Sequence, residues 1–159
     1  METVATAPAE TGHVLLIERV FDAPPALVFR LWSDPARVKE WWHPKDYRST
    51  RFEMDFRVGG RYGFTSVSAT SSHSAHGVYR EIVAPERIVM TFEWEGTGPH
   101  TGHETLITIG FTPHGDGQTL LTFRQEPFAS DAARHSHGQG WHQVLEHFDA
   151  FLASRKVVA

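Results

Sequence analysis

The apolar positions change period twice along the chain. "HVLLIERVF" (13–21) is rich in β-formers and runs into the turn-like "DAPP", which predicts a first strand. Asp22 is placed to cap a helix, and Pro24 and Pro25 suit the start of one. Leu27, Val28, Leu31 and Trp32 then recur at helical spacing. Asp34-Pro35 breaks and restarts the helix, and Val38, Trp41 and Trp42 form a second short stripe that Pro44 ends. "RSTRFEMDFRV" alternates weakly, Gly59-Gly60 marks a turn, and Tyr62, Phe64, Ser66 and Ser68 next share a face. "SATSSHSAHG" reads as a polar loop or strand ends. "VYREIV" and "RIVMTFEW" flank a tight hairpin at Ala84-Pro85-Glu86, and Ile88, Met90, Phe92 and Trp94 give the cleanest alternation in the chain. "EGTGPHTGH" reads as a flexible loop. "ETLITIGFT" and "TLLTFRQEPF" form a hairpin around "PHGDG", with Ile107 and Ile109, then Leu121, Phe123 and Gln125, facing inward. Helical period returns after Asp131, where Trp141, Val144, Leu145, Phe148 and Leu152 make one stripe. Gly138 and Gly140 lie inside that stretch. Each costs ~1 kcal/mol relative to alanine, so they mark a kink or a close approach.

The order is strand, two short helices, six strands and one long helix. A six-strand antiparallel run must curl around the closing helix to hide its apolar face. That predicts an α+β fold in which a curved antiparallel sheet of about seven strands wraps a long C-terminal helix. Residues 1–12 read as a disordered tail and 13–155 as a single domain. The net charge of −4, with no long basic run, argues against nucleic acid as a partner. The absence of cysteine excludes a disulfide framework, a thiol nucleophile and a thiolate metal site. The longest apolar run, Val14-Leu15-Leu16-Ile17, is far too short for a membrane span, and the N-terminus lacks a secretory pattern. The expectation is a soluble cytoplasmic protein.

Five stretches together carry a resemblance: "RVFDAPPALVFRLWSDPARVKEWWHP", "FEMDFRVGGRYGF", "GVYREIVAPERIVMTFEW", "GHETLITIGFTPHGDGQTLLTFRQEPF" and the helical Gly140-Trp141. In that order they resemble the bacterial homologues of the activator of the heat-shock-protein-90 ATPase, within the START-like (SRPBCC) helix-grip superfamily. The resemblance runs from His13 to Leu152. It implies a deep cavity between sheet and long helix that takes an apolar small molecule or lipid, with no cofactor, metal site or family-wide catalytic triad. It also implies a chaperone as an alternative partner. Relatives often carry glycine where this chain has His43, and histidine where it has Gln125.

Three functions compete on the residues. The first is non-catalytic binding of an apolar ligand. Trp41 and Trp42, adjacent in "KEWWHP", would close one end of the sheet, either both only sealing it or with one ring plugging the core and the other facing the cavity. Tyr62, Phe64, Met90, Phe92, Trp94, Ile107, Ile109, Leu121, Phe123, Trp141, Leu145 and Phe148 would line the interior, either enclosing a cavity or filling it. Ser66, Gln125 and the Tyr62 hydroxyl would orient a ligand, and an inward Arg80 would favour an anionic head group. The second is a co-chaperone-like interaction domain. The third is an enzyme for an apolar substrate, with Arg80, Gln125 and His43 as its only candidates. Homodimerisation through strand edges stays open. The eleven histidines include His73-x-x-His76 and His100-x-x-His103, but no helical pair four apart, so they read as surface groups rather than metal ligands. Glu53 and Asp55 read as a solvated edge.

Overall fold

Two prolines start the helical segment. Pro25 occupies the first turn of α1 (Pro25–Ser33) and Pro35 that of α2 (Pro35–Trp41), where the missing N–H would be unpaired anyway. Asp34 caps α2 by accepting the Ala36 N–H at 3.1 Å. The capping position of α1 is Pro24, two residues beyond the expected Asp22, and its side chain makes no cap hydrogen bond.

The computed structural model describes residues 13–96 and 103–158, with side chains as far as residue 155. The tail expected at 1–12, His100 and most of the loop expected at 95–103 lie outside the described residues. The strands are β1 (Leu15–Phe21), β2 (Arg48–Met54), β3 (Arg61–Val67), β4 (Ser72–Val83), β5 (Arg87–Trp94), β6 (Thr105–His114) and β7 (Gln118–Glu126), and α3 (Asp131–Val158) closes the chain. They form one seven-stranded sheet in the order β1-β7-β6-β5-β4-β3-β2, antiparallel throughout. This is the helix-grip α+β architecture that the periodicity predicts. The stretch read as a polar loop divides: Ser72 onward belongs to the longest strand, twelve residues of β4.

Register explains the core. Ile17, Phe123, Ile109 and Ile88 pair successively across β1, β7, β6 and β5, and all four are buried. The next row towards the cavity runs Gln125, Ile107, Met90, Tyr79. Register shifts between Ser49 and Arg51 and between Tyr79 and Glu81 bend β2 and β4. The inner face then packs on the α3 stripe of Trp141, Val144, Leu145, Phe148 and Leu152, every one buried. Gly138 marks a close approach, since a Cβ there would lie 3.2 Å from the Leu15 methyl of β1. Among the described residues, no helix is long and apolar enough to cross a membrane.

Candidate functional site

Helix α3 covers the β1 side of the sheet more closely than the β2 side. The gap it leaves is a cavity of about 740 Å³, within the range that holds small molecules. Its walls come from three places: the α2–β2 connection (Trp42, Pro44, Tyr47), strands β3 to β5 (Phe64, Ser66, Ser72, His73, Ser74, Phe92, Trp94, Glu95, Gly96) and one face of α3 (Ser136, His137, Gly140, Trp141, Val144). Trp42, Phe64, Phe92, Trp141 and Val144 are buried, whereas Ser72, His73, Glu95, Gly96 and Ser136 are exposed. The site therefore has an aromatic interior and a polar mouth.

The two adjacent tryptophans part company here. Trp41 is fully buried, donates its indole N–H to Leu31 O at 3.3 Å, and packs on Trp32 and Phe148 with both centroid distances at 4.7 Å. Trp42 caps the helix one residue later and turns the other way. Its ring stands edge-on to Trp141 at 5.2 Å and near Phe64 at 5.7 Å, on the cavity wall. α3 pins the connection that carries it. The Nδ1 of His147 lies 2.6 Å from His43 O, and Gln143 Oε1 accepts the Lys45 N–H at 3.0 Å. Ser49 Oγ adds a bond to Trp42 O at 2.9 Å.

Trp141 is held by a buried polar chain. Its indole N–H donates to Gln125 Oε1 at 2.8 Å, Gln125 Nε2 donates to Thr105 Oγ1 at 2.9 Å, and Thr105 Oγ1 donates to Phe92 O at 3.2 Å. Gln125 is thus inward, as the alternation predicts, but both ends of its amide are taken. It orients a cavity wall instead of reaching the cavity.

On the opposite side of the mouth, Trp94 donates its indole N–H to His137 Nε2 at 2.8 Å, while His137 Nδ1 lies 2.8 Å from Ala133 O. Both bonds are satisfied by the neutral tautomer with its proton on Nδ1. Ser66 is different. Its side chain is buried on the cavity wall, yet Oγ has no hydrogen-bond partner among the described residues.

Of the residues expected at the cavity, Trp42, Phe64, Ser66, Phe92, Trp94 and Trp141 line it. Trp41, Tyr62, Met90, Ile107, Ile109, Leu121, Phe123, Gln125, Leu145 and Phe148 are buried in the adjoining core and do not. The Tyr62 hydroxyl is committed to Thr91 O, and burial pushes its phenol well above the usual tyrosine range, so it stays a neutral donor. The inward Arg80 is corrected. Ala75, Gly77 and Tyr79 are the inward residues of β4, and Arg80, between Tyr79 and the register shift, is exposed. The candidates Arg80, Gln125 and His43 do not converge, and His43 packs at a tilt against His147, centroids 4.6 Å apart, away from the cavity lining.

The histidines read as surface groups need a second correction. His137 is half-buried against Trp94 and Phe128, and His73 is exposed but lines the mouth. His76, three residues along the strand, turns outward to Glu95 at 3.1 Å. Among the described residues, no three histidine or carboxylate side chains cluster as metal ligands would. Glu53 and Asp55 pair with Arg51 and Arg57 at the surface.

A family model described as "Activator of Hsp90 ATPase homolog 1-like protein" matches residues 22–153. Comparison with the curated proteins finds no match. Solved structures are similar over most of the chain. A Chromobacterium violaceum protein is 29% identical over 86% of this chain and 94% of its own, with a TM-score of 0.78. A Rhizobium leguminosarum protein is 27% identical, covering 89% and 94% at a TM-score of 0.74. The AHSA1 protein of Silicibacter pomeroyi has the same fold, with 22% identity, 89% and 99% coverage and a TM-score of 0.79.

Proposed function

The chain belongs to the Activator of Hsp90 ATPase homolog 1-like family, and on that premise we propose that it binds an apolar small molecule between its sheet and its C-terminal helix. Membership alone is compatible with a ligand-binding or a co-chaperone-like domain. The cavity favours the first. A lining of three tryptophans and two phenylalanines around about 740 Å³ of space offers a large aromatic surface, and such surface gains most from an apolar occupant. The binding is non-catalytic in this reading: Gln125 and His137 are engaged in holding Trp141 and Trp94 in the cavity wall.

Gly140 supplies the test. It lines the cavity, and a Cβ built there meets nothing within 4 Å. Gly140→Leu fills the space from a helix that prefers leucine to glycine by ~0.8 kcal/mol. The uncharged fluorophore N-phenyl-1-naphthylamine brightens in apolar surroundings and serves as the probe. Wild-type protein is expected to enhance its emission saturably. Gly140→Leu is expected to weaken that binding at least ~10-fold while its unfolding midpoint stays level or rises. Equal probe binding by both proteins would remove the cavity as the site.

A further inference from the structure

The chemistry of the cavity wall also says what kind of apolar molecule fits. This inference rests on the reading of the cavity as a ligand site and specifies the ligand. Two observations carry it. The first is Ser66. It is 4% exposed, it lines the cavity, and its hydroxyl has no partner among the described residues. A buried hydroxyl without a partner is a standing cost, and nearly all buried polar groups are satisfied. Its cross-strand neighbour His73 is exposed at the mouth, so Ser66 is a buried hydroxyl just inside the rim. The second observation is charge. Among the described lining residues there is no lysine or arginine, and the one carboxylate, Glu95, is paired with the outward His76. A carboxylate or phosphate pushed among these rings would lose its hydration with no lysine or arginine to replace it.

We propose that Ser66 selects the ligand: the cavity takes an uncharged aromatic molecule that carries a hydrogen-bonding oxygen placed to meet Ser66 just inside the mouth, and it rejects the same body bearing a carboxylate. The Ser66 hydroxyl can donate or accept, so a phenol or a ketone satisfies it equally. The aromatic interior holds the body, and the polar mouth passes no anchoring charge. Fatty acids, acyl phosphates and other anionic amphiphiles are thereby the wrong class.

Three probes share one ring system and differ in one group: naphthalene, 2-naphthol and 2-naphthoate. Each is titrated at neutral pH as a competitor of N-phenyl-1-naphthylamine, against wild-type protein and Ser66→Ala. The naphthol is expected to compete about 3- to 10-fold more tightly than naphthalene in the wild type, the scale of one net hydrogen bond. The naphthoate is expected to compete at least ~10-fold more weakly than the naphthol. In Ser66→Ala the ratio of naphthol to naphthalene falls to about one. The variant stays folded, since removing an unpartnered hydroxyl leaves no orphan behind. Equal competition by naphthalene and naphthol in the wild type, or a ratio untouched by Ser66→Ala, overturns the role of Ser66. Preferred binding of the naphthoate overturns the charge selection. Either failure leaves the fluorophore's own binding, and its loss in Gly140→Leu, as a separate result on whether the cavity binds anything.

Discussion

Trp41→Ala is expected to remove ~3–5 kcal/mol of unfolding free energy, the range for truncating a large buried ring. Trp41 is fully buried, and its indole N–H is bonded to the α1 carbonyl of Leu31. Its ring joins α1, α2 and α3 at one point, touching Trp32, Trp42 and Phe148 with centroids at 4.7, 5.7 and 4.7 Å. Urea unfolding reads the loss directly, and an unchanged slope would show that the native state kept its compactness. The same truncation at Trp42 takes away a ring with one side already bordering open space, so it costs less stability and more probe binding. A Trp41→Ala variant within ~1 kcal/mol of wild type would contradict its role as the plug.

Gly77→Ala is the second large effect, and it acts by overfilling. A Cβ at Gly77 would lie 1.9 Å from Thr91 O and 2.5 Å from the Tyr62 ring. Neither can step aside cheaply. Thr91 O belongs to the β5 backbone and accepts the Tyr62 hydroxyl, while Thr91 Oγ1 accepts the Val78 N–H at 2.9 Å. The added methyl forces β4 and β5 apart and breaks a buried bond whose donor cannot ionise its way out, because burial holds the Tyr62 phenol well above its usual range. The expected loss is at least ~3 kcal/mol, the upper end for overpacking. Thermal unfolding of Gly77→Ala beside Gly140→Ala makes the comparison internal, since the same methyl group enters a closed site in one and open space in the other. Equal stability of the two variants would contradict the packing described around Tyr62.

How far the sequence can be read depends on which physical signal each residue leaves in it. The inner faces of β5, β6 and β7 are plain in the alternation, because one side of each strand is wholly buried and period two results. β4 hides its inner face, which is written in Ala75 and Gly77 before Tyr79 and is then interrupted by a register shift, so Arg80 has no visible side. Gln125 shows its direction but not its partners. Whether its amide meets a ligand or the Trp141 indole is decided by where α3 crosses β7. His137 does leave a signal: it precedes Trp141 by four residues and extends the buried stripe of α3 by one turn. His73 leaves none, because its place opposite Ser66 comes from strand register. The cavity is legible only as a list of rings, since the same inward residues could have filled it. Its volume comes from the placement of the helix over the sheet, with Gly140 presenting no side chain to the gap.

The most direct measurement of the central claim is a set of two-dimensional ¹H–¹⁵N spectra of the five indole N–H groups during titration with N-phenyl-1-naphthylamine. Each tryptophan carries one such group, and single Trp→Phe variants assign them. Trp42, Trp94 and Trp141 line the cavity, whereas Trp32 and Trp41 lie in the core behind it. The expected result is large, saturable shifts at Trp42, Trp94 and Trp141 with one common affinity, and small ones at Trp32 and Trp41. Shifts of equal size at all five, or largest at Trp32 and Trp41, would contradict a ligand site between the sheet and the C-terminal helix.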